Sequence, residues 1–284
     1  MDRVKNIKRS SYLTSEFRSI LIDKYAPQLS GIKNIYENSI KEDWDIYLFG
    51  GIPRSLWMEQ KSFVFRDFDL VVSDESFEHF CSVYSSSIVR KNRFGGVKLN
   101  INNVDYDLWA LSSTWAFRQG LVEDVSFETL PDTVFLNADS IVFELSPSQG
   151  NRRKVYEGGF YRAMKEKKIS IKLSENPFPE LCVLRALNFA VKYNFSFSPD
   201  LAHYICEKLS SISINKFVET QISHYGRLLF SEEDLVSYRS IMESCLEKGL
   251  LNVDLFEKEE QSKFLYYSDL EISNSNDNIS YVRL

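Results

Sequence analysis

The sequence predicts an α+β protein in which a mixed-sheet head domain is followed by an all-helical C-terminal domain. Three observations carry that expectation. Between Asp45 and Asp74 an apolar strand runs into a Gly-Gly turn, a short helix and a second apolar strand bearing two aspartates. Two alternating arms then flank Asn102-Asn103, the signature of a hairpin. Beyond Pro199 only helix-spaced apolar residues recur. The implied divisions are a helical preface over 1–44, the head over 45–172, a helical domain over 173–270 and a polar tail over 271–284.

In the preface, Leu13, Phe17, Ile20, Leu21 and Tyr25 lie at helical spacing until Pro27, and a second helix is expected through Ile32, Ile35 and Tyr36. Ile46, Leu48 and Phe49 form the first strand. Gly50-Gly51 then lets the backbone turn sharply and approach a ligand closely. Ile52 to Met58 opens a helix, with Pro53 tolerated in its first turn. Backbone N–H groups at such a turn favour an anion, above all phosphate, and Arg54 stands where it could add charge. On the next strand Asp67, Asp69 and Val71 face one way, and Phe68, Leu70 and Val72 the other. Two carboxylates ~7 Å apart on one strand face suit hard divalent ions. Mg²⁺ takes a few carboxylates together with phosphate oxygens, the arrangement used in two-metal phosphoryl transfer.

The stretch SFEHFCSVYSS reads as a helix, and the hairpin that follows has arms over Gly96–Ile101 and Val104–Ala110. In its second arm Asp105, Asp107 and Trp109 share a face. A third carboxylate beside the first pair would help hold a catalytic ion and orient an attacking hydroxyl. Asp107 and Asp105 are the candidates, and the alternative is that one or both are solvated strand residues. A short helix is expected from Thr114, a strand within FLNADSIVFEL, and further structure in KVYEGGFYRAMKEKKISI. Leu181, Leu184, Leu187, Phe189 and Val191 give the helix after Glu175 an apolar side, on which Arg185 is the odd residue.

At 284 residues, 44% hydrophobic and 26% charged, the chain has the composition of a globular protein with a substantial core. No apolar run approaches a membrane span, and the basic N-terminus lacks the apolar segment of a secretory signal. Four scattered cysteines and three dispersed histidines argue against a zinc site or a disulfide framework, so a cytoplasmic location is expected. A net charge of −6 argues against a general nucleic-acid binder held by a large positive field, but not against one using a local patch. The basic run Arg152, Arg153, Lys154, Arg162, Lys165, Lys167, Lys168 and Lys172 is such a patch or a solvated helix face.

The order G-G-x-x-R, helix, then D-x-D on an apolar strand resembles the head domain of the polymerase β nucleotidyltransferase superfamily, closest to CCA-adding enzymes and bacterial poly(A) polymerases. Asn137-Ala138, Glu157-Gly158-Gly159, Leu184-Arg185-Ala186 and Phe189-Ala190 match further elements of that family. Pro131, Asp132 and Thr133 stand where the family has an Arg-Arg-Asp cluster, and Cys182 and Asn188 replace two of its arginines. The resemblance covers residues 45 to about 200 and implies Mg²⁺-dependent transfer of NMP from an NTP to an acceptor hydroxyl, releasing pyrophosphate. It implies Asp67, Asp69 and Asp107, with Asp105 in reserve, as ligands of two Mg²⁺ ions, and Gly50, Gly51, Arg54, Asn137 and Arg185 as nucleotide contacts. The acceptor it suggests is an RNA 3′ end, tRNA-like. The alternatives are nucleotidyl transfer to a protein or small molecule, and an inactive head that serves as a binding module.

Overall fold

The computed structural model describes residues 15, 29–58, 67–93, 95–145 and 153–255. The helix expected from Leu13 to Tyr25, apart from Ser15, and the polar tail over 271–284 lie outside the described residues. The chain divides into two compact units, Met1–Arg162 and Ala163–Leu284.

Among the described residues the first unit has seven strands: β1 (Ile46–Phe49), β2 (Asp67–Val72), β3 (Ile88–Lys91), β4 (Val97–Ile101), β5 (Val104–Ala110), β6 (Ile141–Glu144) and β7 (Val155–Glu157). They lie in the order β3-β4-β5-β2-β1-β6-β7. The β2–β5 pair is parallel and every other neighbouring pair is antiparallel, so the sheet is mixed, as the sequence predicts. Between β4 and β5, Asn102 and Asn103 both adopt positive φ (54° and 63°). This is the left-handed pair that a two-residue hairpin requires and that asparagine tolerates.

One sheet face is apolar across its central strands. Phe68 and Leu70 of β2, Tyr106 and Leu108 of β5, and Leu99 of β4 are fully buried there, with Phe68 and Tyr106 stacked at 5.1 Å. Helix α1 (Ser30–Lys41), in the place expected for the preface's second helix, turns Gly31, Ile32 and Ile35 inward. A Cβ on Gly31 would stand 2.5 Å from Tyr106 Oη, so only glycine lets the helix settle this close to β5. Helix α2 is Gly51–Met58 and helix α3 is Asp74–Val83. Tyr84, just after α3, ties it to α1 by donating to Asn34 Oδ1 and accepting from Asn38, both at 2.8 Å.

The other face is covered over part of its length. Tyr47, Val71 and Val142 pack with Leu111, Leu130 and Phe117, the last from the short helix α4 (Trp115–Arg118). Phe127 stacks on Tyr47 at 4.1 Å. Toward the start of β2 and β5 this apolar cover gives way to aspartates.

Helix α5 (Phe160–Glu166) contains the division between the units. The second unit continues with α6 (Pro179–Tyr193), α7 (Pro199–Ser211), α8 (Ile214–Tyr225) and α9 (Glu232–Glu247), and among its described residues carries one short parallel pair, β8 (Lys168–Ile169) with β9 (Ser196–Phe197). Leu184, Leu187 and Phe189 of α6 are buried as expected, but so are Cys182, Val183, Ala186 and Ala190, while Leu181 and Val191 are half-buried. The helix is therefore packed around more of its girth than a single apolar stripe would give. Burial pushes the Cys182 thiol up to about 12. Ser198 caps α7 by accepting from Leu201 N–H, and α9 opens with a reciprocal box between Ser231 and Asp234.

Candidate active site

The parallel pairing of β2 and β5 sets Asp67 opposite Asp105 and Asp69 opposite Asp107. Paired residues on neighbouring strands point to the same face, so all four aspartates lie on one face at the start of the two strands. All four are half-buried. Because β1 runs antiparallel to β2 with Phe49 opposite Asp69, the Gly50-Gly51 turn emerges beside the carboxylates.

Gly50 has φ +67°, and a Cβ built on it would overlap the Asp69 carboxylate. No side chain fits between turn and acid. At Gly51 a Cβ would meet only Arg54 Nη2, at 3.4 Å. Arg54, one turn into α2, is paired with Asp139. That residue lies in the 3₁₀ turn Asn137–Asp139, which enters β6 from the same end of the sheet as the glycine turn. Asn137 is 9% exposed, and a Cβ on Gly159 would approach its own Cβ at 3.9 Å. The Gly-Gly turn, Arg54, Asn137 and the Glu157-Gly158-Gly159 element are thus gathered around one end of the sheet.

The four aspartates are not equivalent. Asp105 accepts from Lys98 Nζ at 2.8 Å and from Asn100 Nδ2 at 2.7 Å. The Lys98 and then the Asn100 hydrogen bond hold its carboxyl below the usual range, and Asp105 in turn raises the Lys98 ammonium. Asp107 is raised, first by burial, with the charge of Asp67 adding to the rise and Lys98 opposing it. Asp105 is committed to a neighbouring cation, whereas Asp107 shares its environment with another acid. Among the described residues no group of three or more Asp, Glu, His and Cys side chains encloses a metal position by itself.

Arg185 lies in the second unit, at an exposed position on α6. Pro131, Asp132 and Thr133 form the 3₁₀ turn Leu130–Thr133. Of the basic run, Arg162 and Lys165 are exposed on α5, Lys168 donates to Leu251 O at 2.7 Å, and Arg153 lies over the Phe143 ring at 5.0 Å. These residues therefore have separate surroundings.

Lys98, Asn100 and Asp139 went unnoticed in the sequence. A signal for the first two was present. Counting outward from Asn102-Asn103 pairs Asn100 with Asp105 and Lys98 with Asp107, as the structure has them. Asp139 gave no comparable signal, since its partner Arg54 is 85 residues away.

No protein-family model matches the sequence, and no curated protein matches it. Among solved structures, the chain is similar to a CCA-adding enzyme in complex with CTP (17% identity, TM-score 0.48), with 81% of this chain and 60% of that chain covered. It is similar to a tRNA nucleotidyltransferase complexed with a primer tRNA and an incoming ATP analogue (16% identity, TM-score 0.49, 76% and 70% covered). It is also similar to the Thermotoga maritima CCA-adding enzyme complexed with tRNA (16%, 0.46, 81% and 60%). The chain spans 60–70% of the length of these three proteins.

Proposed function

We propose that the chain is a nucleotidyltransferase of the polymerase β type, moving NMP from an NTP to an acceptor hydroxyl. The observation that carries this reading is the placement of the Gly50 turn directly against Asp69, with Asp67, Asp69 and Asp107 side by side on parallel strands. A turn without a side chain beside clustered acids provides backbone N–H groups for phosphates and carboxylates for a cation in one place.

The donor set fits Mg²⁺. Carboxylate oxygens are hard ligands, and Mg²⁺ keeps open positions for phosphate oxygens and water, so three protein ligands closing a cage are not needed. Asp67 and Asp69 would hold two Mg²⁺ ions, with Asp107 sharing one of them. When bound, the ions supply Lewis-acid neutralisation of charge on the triphosphate and a lowered pKa at the attacking hydroxyl.

The chain's own residues do the rest. Gly50 and Gly51 bring backbone N–H groups to the triphosphate, and Arg54, held by Asp139, fixes the turn of α2 behind them. Asn137 borders the same space and positions the nucleotide. The acceptor oxygen forms a bond to the α-phosphorus as the bond to the bridging oxygen breaks, and that electron pair leaves with pyrophosphate. The hydroxyl proton passes to a carboxylate oxygen of Asp107. Orientation of the two reactants by fixed groups accounts for much of the acceleration in such transfers.

An RNA 3′ end is the acceptor of this reading. The test is incubation of the pure protein with Mg²⁺ and each labelled NTP in turn, with total RNA and total protein as acceptors. Label in RNA, lost in Asp69→Asn, is the expected result. Label on protein would transfer the same chemistry to a different acceptor. No label with any NTP would overturn the reading.

A further inference from the structure

Strand β3 was not foreseen in the sequence, and it brings a cation to the carboxylate face. It forms the edge of the sheet. Its pairing with β4 sets Arg90 opposite Lys98, which is itself opposite Asp107. Arg90, Lys98 and Asp107 therefore lie in one row on the same face, with Arg90 about 9–10 Å from Asp107 at two strand spacings. Lys98 is fixed by Asp105, whereas Arg90 is exposed at the rim.

The row sits in an unusual stretch. Residues 85 to 103 contain Arg90, Lys91, Arg93 and Lys98 and no acid, in a chain whose net charge is −6. This local positive field borders the one place where the site already collects negative charge. A phosphodiester backbone approaching Asp107 would otherwise meet only carboxylates, and cations beside its path would relieve that repulsion.

We infer that Arg90, backed by Lys98, forms a phosphate-binding track along the β3–β4 edge that leads a single-stranded nucleic-acid acceptor to Asp107. This rests on the nucleotidyltransferase reading above and names where its acceptor lies. The competing explanation is that β3 is charged only because exposed edge strands carry Lys and Arg to block unwanted pairing. The two differ at the next residue. Lys91 is also exposed on the same strand but pairs with Val97, whose side chain is on the opposite, apolar face. A track predicts that Arg90 matters and Lys91 does not, while edge protection treats them alike.

The experiment compares wild type, Arg90→Glu and Lys91→Glu in full-length protein. Binding of a fluorescein-labelled single-stranded RNA of about 12 nucleotides is followed by anisotropy over a salt series. Arg90→Glu is expected to weaken binding about five- to tenfold and to lower the salt slope by ~1, with Lys91→Glu within about twofold of wild type. Equal loss in both variants, no loss in Arg90→Glu, or no RNA binding by wild type would overturn the track. Binding of a fluorescent ATP analogue with Mn²⁺ is measured on the same samples. A failed track leaves that signal intact, whereas failure of the nucleotidyltransferase reading removes it.

Discussion

Gly50 and Asp69 occupy each other's space: the carboxylate of Asp69 lies where the side chain of residue 50 would be. The turn also requires φ +67°, a conformation that glycine adopts without strain. Sequence order puts the two residues on successive strands, and the antiparallel pairing of β1 with β2 closes the gap between them. Gly50→Ala should therefore displace the acid as well as strain the turn. Transfer activity is expected to fall ~100-fold, since misplacement of a reacting group by about 1 Å has that scale of effect. Gly51→Ala meets only Arg54 at an ordinary distance and should stay within a few-fold of wild type. Labelled-NTP transfer with both variants, alongside thermal melts to establish folding, checks the contrast.

Asp105 and Asp107 give a second contrast. They sit two residues apart on β5, yet only Asp105 is bound by Lys98 and Asn100. Asp107→Asn should lower transfer by ~100-fold or more, the range seen when a group that stabilises developing charge is removed, and should weaken Mn²⁺ binding followed by electron paramagnetic resonance. Asp105→Asn should leave Mn²⁺ binding and turnover within about fivefold of wild type, because its charge is already compensated. Reversal of this order would assign the third carboxylate to Asp105.

Local signals made much of the site legible. The Gly50-Gly51 turn, the alternation around Asp67 and Asp69 and the Asn102-Asn103 hairpin are each set by a few neighbouring residues, and each has its expected form. What could not be read was non-local. The parallel register that aligns Asp69 with Asp107 joins strands far apart in sequence, and hydrophobic alternation fixes which face a residue takes but not which residue it meets. Arg54 pairs with Asp139 for the same unreadable reason. Strand β3 was missed because Ile88–Lys91 has no alternation and only Ile88 is partly covered. The apolar stripe read on α6 was too narrow, because Cys182, Val183, Ala186 and Ala190 are also buried by neighbours that periodicity does not reveal.

Glu144 supplies a pH test away from the aspartates. It is buried on β6 opposite Tyr47, and its Oε2 accepts from Lys154 N–H at 2.7 Å. Burial raises its pKa in spite of that bond. An acid whose folded pKa is raised favours the folded state while protonated, and that contribution is lost as pH rises through the folded value. Glu144→Gln keeps an acceptor for Lys154 and never ionises. It should raise the melting temperature at pH 8. At pH 4 and below the advantage should vanish. A pH-independent shift would place the effect in packing rather than ionisation.

In the helical unit, Gln221 is the buried polar residue on which the loop after α8 depends. It is fully buried, its Oε1 accepts from Leu229 N–H and Phe230 N–H at 2.8 Å, and its Nε2 donates to Phe230 O at 3.1 Å. One side chain thus satisfies three backbone groups between α8 and α9, where the chain leaves one helix and enters the next. Gln221→Leu preserves the volume and strands all three. An unsatisfied buried group costs about 1–3 kcal/mol, and partial rearrangement of the loop should hold the total near 2–4 kcal/mol. Urea melts give that loss directly. Hydrogen exchange locates it: the Leu229 and Phe230 amides, protected in wild type by the Gln221 carbonyl, should exchange at least ~10-fold faster in the variant. Global destabilisation alone would accelerate the slowest amides of α7 and α9 and leave these two without any extra change, so the pattern separates loss of the clamp from general loosening of the unit.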